Sequence, residues 1–308
     1  AFYAYVSEGL GNRQGIAAAI LALVSYNMMQ IGLYGIFGFG LAAMLNGWLG
    51  TAIPWWLAAA VGWIIVAVMG VRNVDFSAKV LGVLVALEFL VVIVVSIISL
   101  KTAPEGVTLQ TLQPSQFFTD GIGVLLAFSI AAFMGFESGA IYSEEAKDPE
   151  QTVPKATYIA VGVIALFYAG SAWAFAQGVG PSTIIAQSQE HGPDLLFIWL
   201  GEFSAPATTV ANVLFITSLI AALVAFHNAA ARYFFSLGRS RVLSDFFAKT
   251  TASGAPLTGS ITQSVIAVVV VIGFAVAGIG SEFGDLYPVL TLFTWLTNAA
   301  AFGLVFLL

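Results

Sequence analysis

The chain has 308 residues, of which 59 % are hydrophobic and 8 % are charged, and its mean hydropathy is +0.96. A soluble domain is roughly a quarter charged, so lipid must be the solvent for most of this apolar surface. The absence of cysteine excludes disulfide and thiol chemistry. The formal net charge of −6 says little, because the orientation of a membrane protein depends on where lysine and arginine lie. The composition therefore indicates an integral membrane protein.

Eight apolar segments are each long enough to cross a bilayer as a helix. They lack the alternating pattern of about ten residues that is typical of membrane β-barrels, so the sequence favours an all-α fold. The predicted spans are 15–45, 54–71, 78–100, 121–143, 156–178, 207–237, 259–279 and 285–308. Residues 1–6 are predicted to end an earlier span, and the chain stops inside an apolar run. We therefore expect it to be part of a larger protein.

The basic residues predict the orientation of these spans. When the loops are assigned alternately to the two sides of the membrane, nine of the ten Lys and Arg residues fall on one side. They are Arg13, Arg72, Lys79, Lys147, Lys155, Arg232, Arg239, Arg241 and Lys249, and the other side has Lys101. The positive-inside rule makes the first side cytoplasmic. We expect a multi-pass protein of the cytoplasmic (plasma) membrane.

The segment FMGFESGAIY, residues 133–142, places an acid and two glycines inside a predicted span. One interpretation is a protonated Glu137 bonded to a neighbouring helix, with Gly135 and Gly139 as a G-x-x-x-G packing motif. The other is a broken helix, because glycine costs about 1 kcal/mol relative to alanine in a helix and makes local unwinding cheap. Exposed backbone groups are tolerated in a membrane where they line a cavity, and transporters bind charged substrates at such breaks. The residues alone leave both interpretations open.

Three more polar positions lie inside predicted spans. Glu88 is either a neutral acid bonded between helices or a group that binds and releases a proton. His227 is either an interhelical hydrogen-bonding group or a proton relay, and Gln30 belongs to a polar stripe that is either packing or lumen. The chain has no H-E-x-x-H, and GFESG has Glu where a nucleophile elbow needs Ser. We therefore expect no enzyme activity, no metal site and no cofactor.

The segment FMGFESGAIYSEEAKDPEQTVPKA resembles the sixth helix and following loop of amino acid–polyamine–organocation (APC) superfamily transporters. The family pattern is an aromatic-x-G-x-E motif, an acidic turn and two prolines before a basic residue. It is met by Phe133, Gly135, Glu137, Glu144, Glu145, Pro149, Pro154 and Lys155. FYAYVSEGLG resembles the end of the family's second helix, GVRNVDFSAKV its fourth-to-fifth connection, and NAAARYFFSLGRSRVL the end of its eighth helix. The loop RSRVLSDFFAKT departs from the family in lacking D-G-x-x-P.

The resemblance implies one transporter domain over residues 1–308, built as a five-plus-five inverted repeat. Residues 1–100 would be a partial first repeat without its opening helix, and residues 121–308 the second repeat. The family's last two helices would also be missing, so we expect a fragment.

The resemblance also implies the site. The sixth helix would break around Gly135 and Gly139 and hold the substrate's amino group through backbone carbonyls near Ala131 and Met134. The implied substrate-binding residues are Ala131, Phe133, Met134, Gly135, Phe136 and Gln30. Glu88 matches a fifth-helix position that is a lysine in some proton-coupled members, where it takes the place of a sodium ion. Glu137 and Glu88 are the implied residues for proton coupling or gating, with a proton favoured over sodium.

The expected function is secondary active transport of amino acids or related amines by alternating access, as an antiporter or symporter. A channel and a non-transporting amino acid receptor on the same fold are the alternatives. The expected partners are an amino acid or amine substrate and the lipid bilayer, without nucleic acid. The pattern GFGLAA superficially fits a dinucleotide motif, but no strand precedes it. The sequence assigns neither the substrate's side chain nor an oligomeric state.

Overall fold

The computed structural model describes residues 3–72, 78–118, 122–136, 147–252, 254–278, 295–300 and 303. Every regular element within these ranges is helical. The α-helices are α1 (Tyr3–Leu10), α2 (Asn12–Leu49), α3 (Trp55–Arg72), α4 (Ala78–Lys101), α5 (Pro114–Phe117), α6 (Ile122–Phe133), α7 (Pro149–Val179), α8 (Ile184–His191), α9 (Leu195–Gly201), α10 (Ala205–Arg239) and α11 (Leu257–Ala277). Short 3-10 helices occupy Gln110–Leu112, Gly192–Asp194 and Asp245–Ala248. The all-α prediction is confirmed for the described part of the chain.

Six of these helices, α2, α3, α4, α7, α10 and α11, are long and apolar enough to cross a membrane. They correspond to six of the eight predicted spans. The predicted span 121–143 differs, because α6 ends at Phe133 after 12 residues. Residues 137–146 lie outside the described ranges, and of the last predicted span only 295–300 and 303 are described, as helix. The inverted repeat stays a prediction.

The chain divides into two compact units. The first comprises residues 1–75, 124–158 and 219–308, and the second comprises residues 76–123 and 159–218. Each unit therefore contains residues of both predicted repeats. The division into units does not test the boundaries of the repeats, which stay a prediction.

In the first unit, α2 packs against α1, α3 and α11. Glycines allow the close approach of α2 and α3. A Cβ atom added at Gly38 would lie 2.5 Å from the carbonyl oxygen of Trp55, and one added at Gly62 would lie 2.5 Å from the ring of Phe37. Small residues at such crossings let membrane helices gain van der Waals contact without a hydrophobic driving force. These contacts explain why glycine stands at positions 38 and 62.

In the second unit, the apolar core lies where α4, α9 and the start of α10 meet. Val95, Trp199, Leu200 and Ala211 are its buried residues. Phe175 of α7 packs edge-on against Trp199, with ring centroids 5.5 Å apart. The amphipathic segment PDLLFIWLGEF, too short to span a membrane, thus contributes through α9 two of the four buried side chains that the structure describes in this core.

Candidate functional site

The backbone leaves the α-helical path at the predicted substrate-binding segment. The N–H of Met134 donates to the carbonyl of Ala131 at 3.1 Å, and the N–H of Phe136 donates to the carbonyl of Phe133 at 3.2 Å. These are three-residue turns in place of the four-residue spacing of an α-helix. Gly135 has φ 100°, which glycine adopts without the steric cost that a Cβ atom imposes. The helix therefore ends in an apolar segment, beside a glycine.

The predicted site residues on this segment differ in burial. Met134 is buried, whereas Ala131, Phe133 and Phe136 are half-buried. The other two residues assigned to this region, Glu137 and Gly139, lie outside the described residues. The assignment of the segment to substrate binding stays a prediction.

Aromatic rings of the first unit lie beside this helix end. A Cβ atom at Gly135 would be 4.0 Å from the ring of Phe226 on α10. Phe226 lies 5.7 Å from Tyr26, and Tyr26 lies 5.4 Å from Tyr233, measured between ring centroids. Sequence reasoning missed these rings. The spacing of Phe226 and Tyr233, seven residues apart on one helix, is a signal that could have identified them.

Gln30, predicted at the substrate side of α2, is fully buried and bonded to two neighbouring helices. Its Nε2 donates to the carbonyl of Leu223 at 3.3 Å and to the Tyr34 hydroxyl at 3.4 Å. Its Oε1 accepts from Nε2 of Gln263 on α11. The amide therefore joins α2, α10 and α11, and its role in substrate binding stays a prediction. Gln263 was missed, although an amide within an apolar helix is a recognisable signal.

His227 is also fully buried in the first unit, and it forms an interhelical hydrogen bond. Its Nε2 lies 2.7 Å from the Ser260 hydroxyl oxygen. Gly70 provides the space, because a Cβ atom there would collide with the imidazole and would lie 2.7 Å from that oxygen. Of the two interpretations that the sequence left open for His227, the structure shows the hydrogen bond.

Glu88 lies in the second unit, where it is half-buried. Its Oε2 accepts a hydrogen bond from the Ser218 hydroxyl at 3.0 Å. A hydroxyl donor satisfies one oxygen of the carboxyl group in either protonation state. Within the described ranges, no group of three or more His, Asp or Glu side chains is placed to hold a metal ion. The assignment of Glu88 to proton coupling stays a prediction.

The apolar helices define a multi-pass integral membrane protein. A sequence profile of the amino acid permease family matches residues 1–307. The chain therefore belongs to the amino acid permease family of the APC superfamily, which confirms the resemblance seen in the sequence and the assignment to the plasma membrane.

Two curated relatives come from Lactococcus lactis subsp. cremoris (strain MG1363). Histidine permease HisP is 28 % identical over 148 residues, which are 47 % of this chain and 31 % of that protein. Lysine-specific permease LysP is 27 % identical over 155 residues, which are 49 % of this chain and 30 % of that protein. Each match thus spans about a third of the relative's length.

Proposed function

We propose that this protein is a secondary active transporter of amino acids or related amines that works by alternating access. The observation that carries the proposal is the helix end at Phe133–Gly135 in a chain of the amino acid permease family. Family membership supports the reaction class. The helix end supports the location, because membrane transporters bind charged substrates where a spanning helix is interrupted.

The chemistry of a helix end suits the amino group of the substrate. The last carbonyls of a helix lack partners in the next turn, and they carry the negative end of the helix dipole. Ala131 and Phe133 each accept one short-range bond, and a carbonyl oxygen has a second lone pair for an ammonium donor. The half-buried rings of Phe133 and Phe136 would then shape the pocket.

A proton is the coupling ion that we propose, in preference to sodium. Glu88 and Glu137 would carry it or gate its passage, because acids inside spans commonly serve proton relays. The hydrogen bond from Ser218 would hold the Glu88 carboxyl group in one orientation during the cycle.

The test is uptake of radiolabelled amino acids into proteoliposomes that contain the full-length protein. Histidine and lysine are the first substrates to try, because HisP and LysP are permeases for them by name. Saturable uptake that a pH gradient accelerates is expected. Folded protein with no saturable uptake of any amino acid or amine would contradict the proposal. Binding without flux would indicate a receptor, and single-channel currents would indicate a channel.

Gly135→Ala tests the helix end directly. The positive φ makes a Cβ atom cost about 1–2 kcal/mol, and Phe226 at 4.0 Å leaves space for it, so backbone strain is the main perturbation. Uptake should fall about tenfold, because strain of this size distorts or depopulates the turn. Gly123→Ala on the same helix is the matched control, since no atom of the described residues lies within 4 Å of its added Cβ atom. Equal uptake by the two variants would show that the turn at Gly135 is not needed.

A further inference from the structure

The second unit contains a cavity of about 400 Å³ at the ends of α4 and α7, on the side that the charge distribution predicts to be outside. Small-molecule sites typically have volumes of about 300–1,000 Å³. None of the residues around this cavity belongs to the helix end at Gly135. Its lining includes Gly178, Gln187, Ile198, Trp199, Glu202 and Phe203.

Hydrogen bonds hold the walls of this outer cavity in place. The Glu105 carboxylate accepts from the backbone N–H of Ser182 at 3.1 Å and from its hydroxyl at 2.6 Å. This ties the segment after α4 to the start of α8. The indole N–H of Trp199 donates to the carbonyl of Gly178 at 3.2 Å, which fixes the ring against the end of α7. The cavity is therefore bordered by segments that are bonded to each other.

The lining combines aromatic rings with one carboxylate. Trp199 and Phe203 lie 4.8 Å apart, measured between ring centroids, and Glu202 lies between them in the sequence. The side chains of Glu202 and Gln187 have no hydrogen bond or ion pair to any part of the chain that the structure describes. Among the described residues that line the cavity there is no lysine or arginine. A carboxylate beside aromatic faces attracts an organic cation through charge and through the cation–π interaction.

We propose that the outer cavity binds a small organic cation, an amine or guanidine compound, with Glu202 as its counter-charge. Phe203, which is 45 % exposed, provides apolar and π surface for the carbon chain and the cationic group, and its ring contacts the buried ring of Trp199. Gln187 supplies an amide that can accept a hydrogen bond from an ammonium group. The proposal concerns binding at the outer surface and does not require that the bound compound is transported.

A single introduced cysteine can report on this site, because the chain has none. The experiment uses the full chain in lipid nanodiscs, the variant Ile198→Cys, a maleimide reagent and cadaverine as the probe. Ile198 lines the cavity and is 45 % exposed, so the reagent can reach it. Ile185→Cys is the matched control, because Ile185 is 69 % exposed on α8 and does not line the cavity. Cadaverine should slow labelling in Ile198→Cys and leave labelling in Ile185→Cys unchanged.

A second substitution tests the carboxylate. The cadaverine concentration that halves the labelling rate should be about fivefold higher when Glu202→Gln is added to Ile198→Cys. A fivefold change corresponds to about 1 kcal/mol, as expected for an exposed ion pair. Glu190→Gln removes the same charge from α8 away from the cavity and should leave that concentration unchanged. The dianion glutarate, of similar length, should give no protection.

Three outcomes would overturn the proposal. They are labelling of Ile198→Cys that cadaverine does not slow, protection that Glu202→Gln leaves intact, and equal protection by glutarate. Labelling is measured without a gradient and without flux, so failure of the proposed transport function would not change it. Conversely, amino acid uptake together with labelling of Ile198→Cys that cadaverine does not slow would support the transport function and contradict a cation site in the outer cavity.

Discussion

Two helices with almost the same hydropathy have opposite environments. The most apolar windows of α2 and α7 have mean hydropathies of 1.7 and 1.9, yet 67 % of the α2 window is buried and 6 % of the α7 window. Hydropathy measures how favourable it is to transfer a side chain out of water, and for an apolar side chain lipid and apolar protein neighbours are equally good surroundings. It therefore indicates that a helix enters the membrane and does not indicate what the helix touches there.

The glycines of these two helices differ in the same way. A Cβ atom on Gly38 of α2 would collide with the backbone of α3. In the part of the chain that the structure describes, nothing lies within 4 Å of a Cβ atom on Gly162 or Gly170 of α7. Gly38 of α2 permits close helix contact, whereas the two glycines in the middle of α7 meet no neighbour in the described structure. Interhelical contact is thus decided by the position of small residues relative to a neighbouring backbone.

The largest expected effect on stability comes from adding a Cβ atom at Gly38 of α2. Gly38→Ala places a Cβ atom 2.5 Å from the Trp55 carbonyl oxygen, and backbone cannot yield as a flexible side chain can. We expect a loss of about 1–3 kcal/mol of stability, as for an overpacked core. Gly162→Ala should be neutral or gain up to about 1 kcal/mol from helix propensity. Thermal unfolding in detergent measures both, and equal changes in melting temperature would remove the contrast between α2 and α7.

The next effect concerns the buried amides of the first unit. Gln263→Leu removes the N–H group that donates to Gln30 Oε1, so this fully buried oxygen loses its hydrogen-bond donor. The protein should lose about 1–3 kcal/mol of stability. The double variant Gln30→Leu/Gln263→Leu removes both partners and should cost less than the sum of the two single variants. Unfolding measurements on all four proteins give the coupling energy. Simple additivity would show that the two amides do not stabilise the packing of α2 against α11.

The smallest effect concerns the outer segment of the second unit. Burial raises the pKa of the Asp194 carboxyl group, and the nearby His191 lowers it by a smaller amount. The raised pKa means that ionisation destabilises the folded state as the pH rises above the usual value for Asp. Asp194→Asn should therefore be the more stable protein at neutral pH, by about 0.5 kcal/mol or less for this half-exposed group. The difference should vanish below the usual pKa. A difference that is independent of pH would exclude ionisation as its cause.

Some features of the candidate site could be predicted from single residues. The flexibility of glycine at position 135 made an interruption of the helix one of two interpretations, and the family resemblance implied it. The helix ends two residues earlier, at Phe133. For Gln30 and His227, which lie inside apolar helices, contact between helices was one of the two interpretations that the sequence left open. Their partners, Gln263 and Ser260, were not predicted, because pairing across helices depends on rotation and depth that one helix does not encode.

The sequence by itself determined that this protein spans the membrane with helices, and its motifs identified the family. The reason is that transfer to lipid and backbone flexibility are properties of short segments. The tertiary structure decided which glycines are contact points, which amides are bonded to each other and where a cavity opens beside Glu202. These features arise from the distances between atoms of different helices, and such distances exist only after the helices have packed.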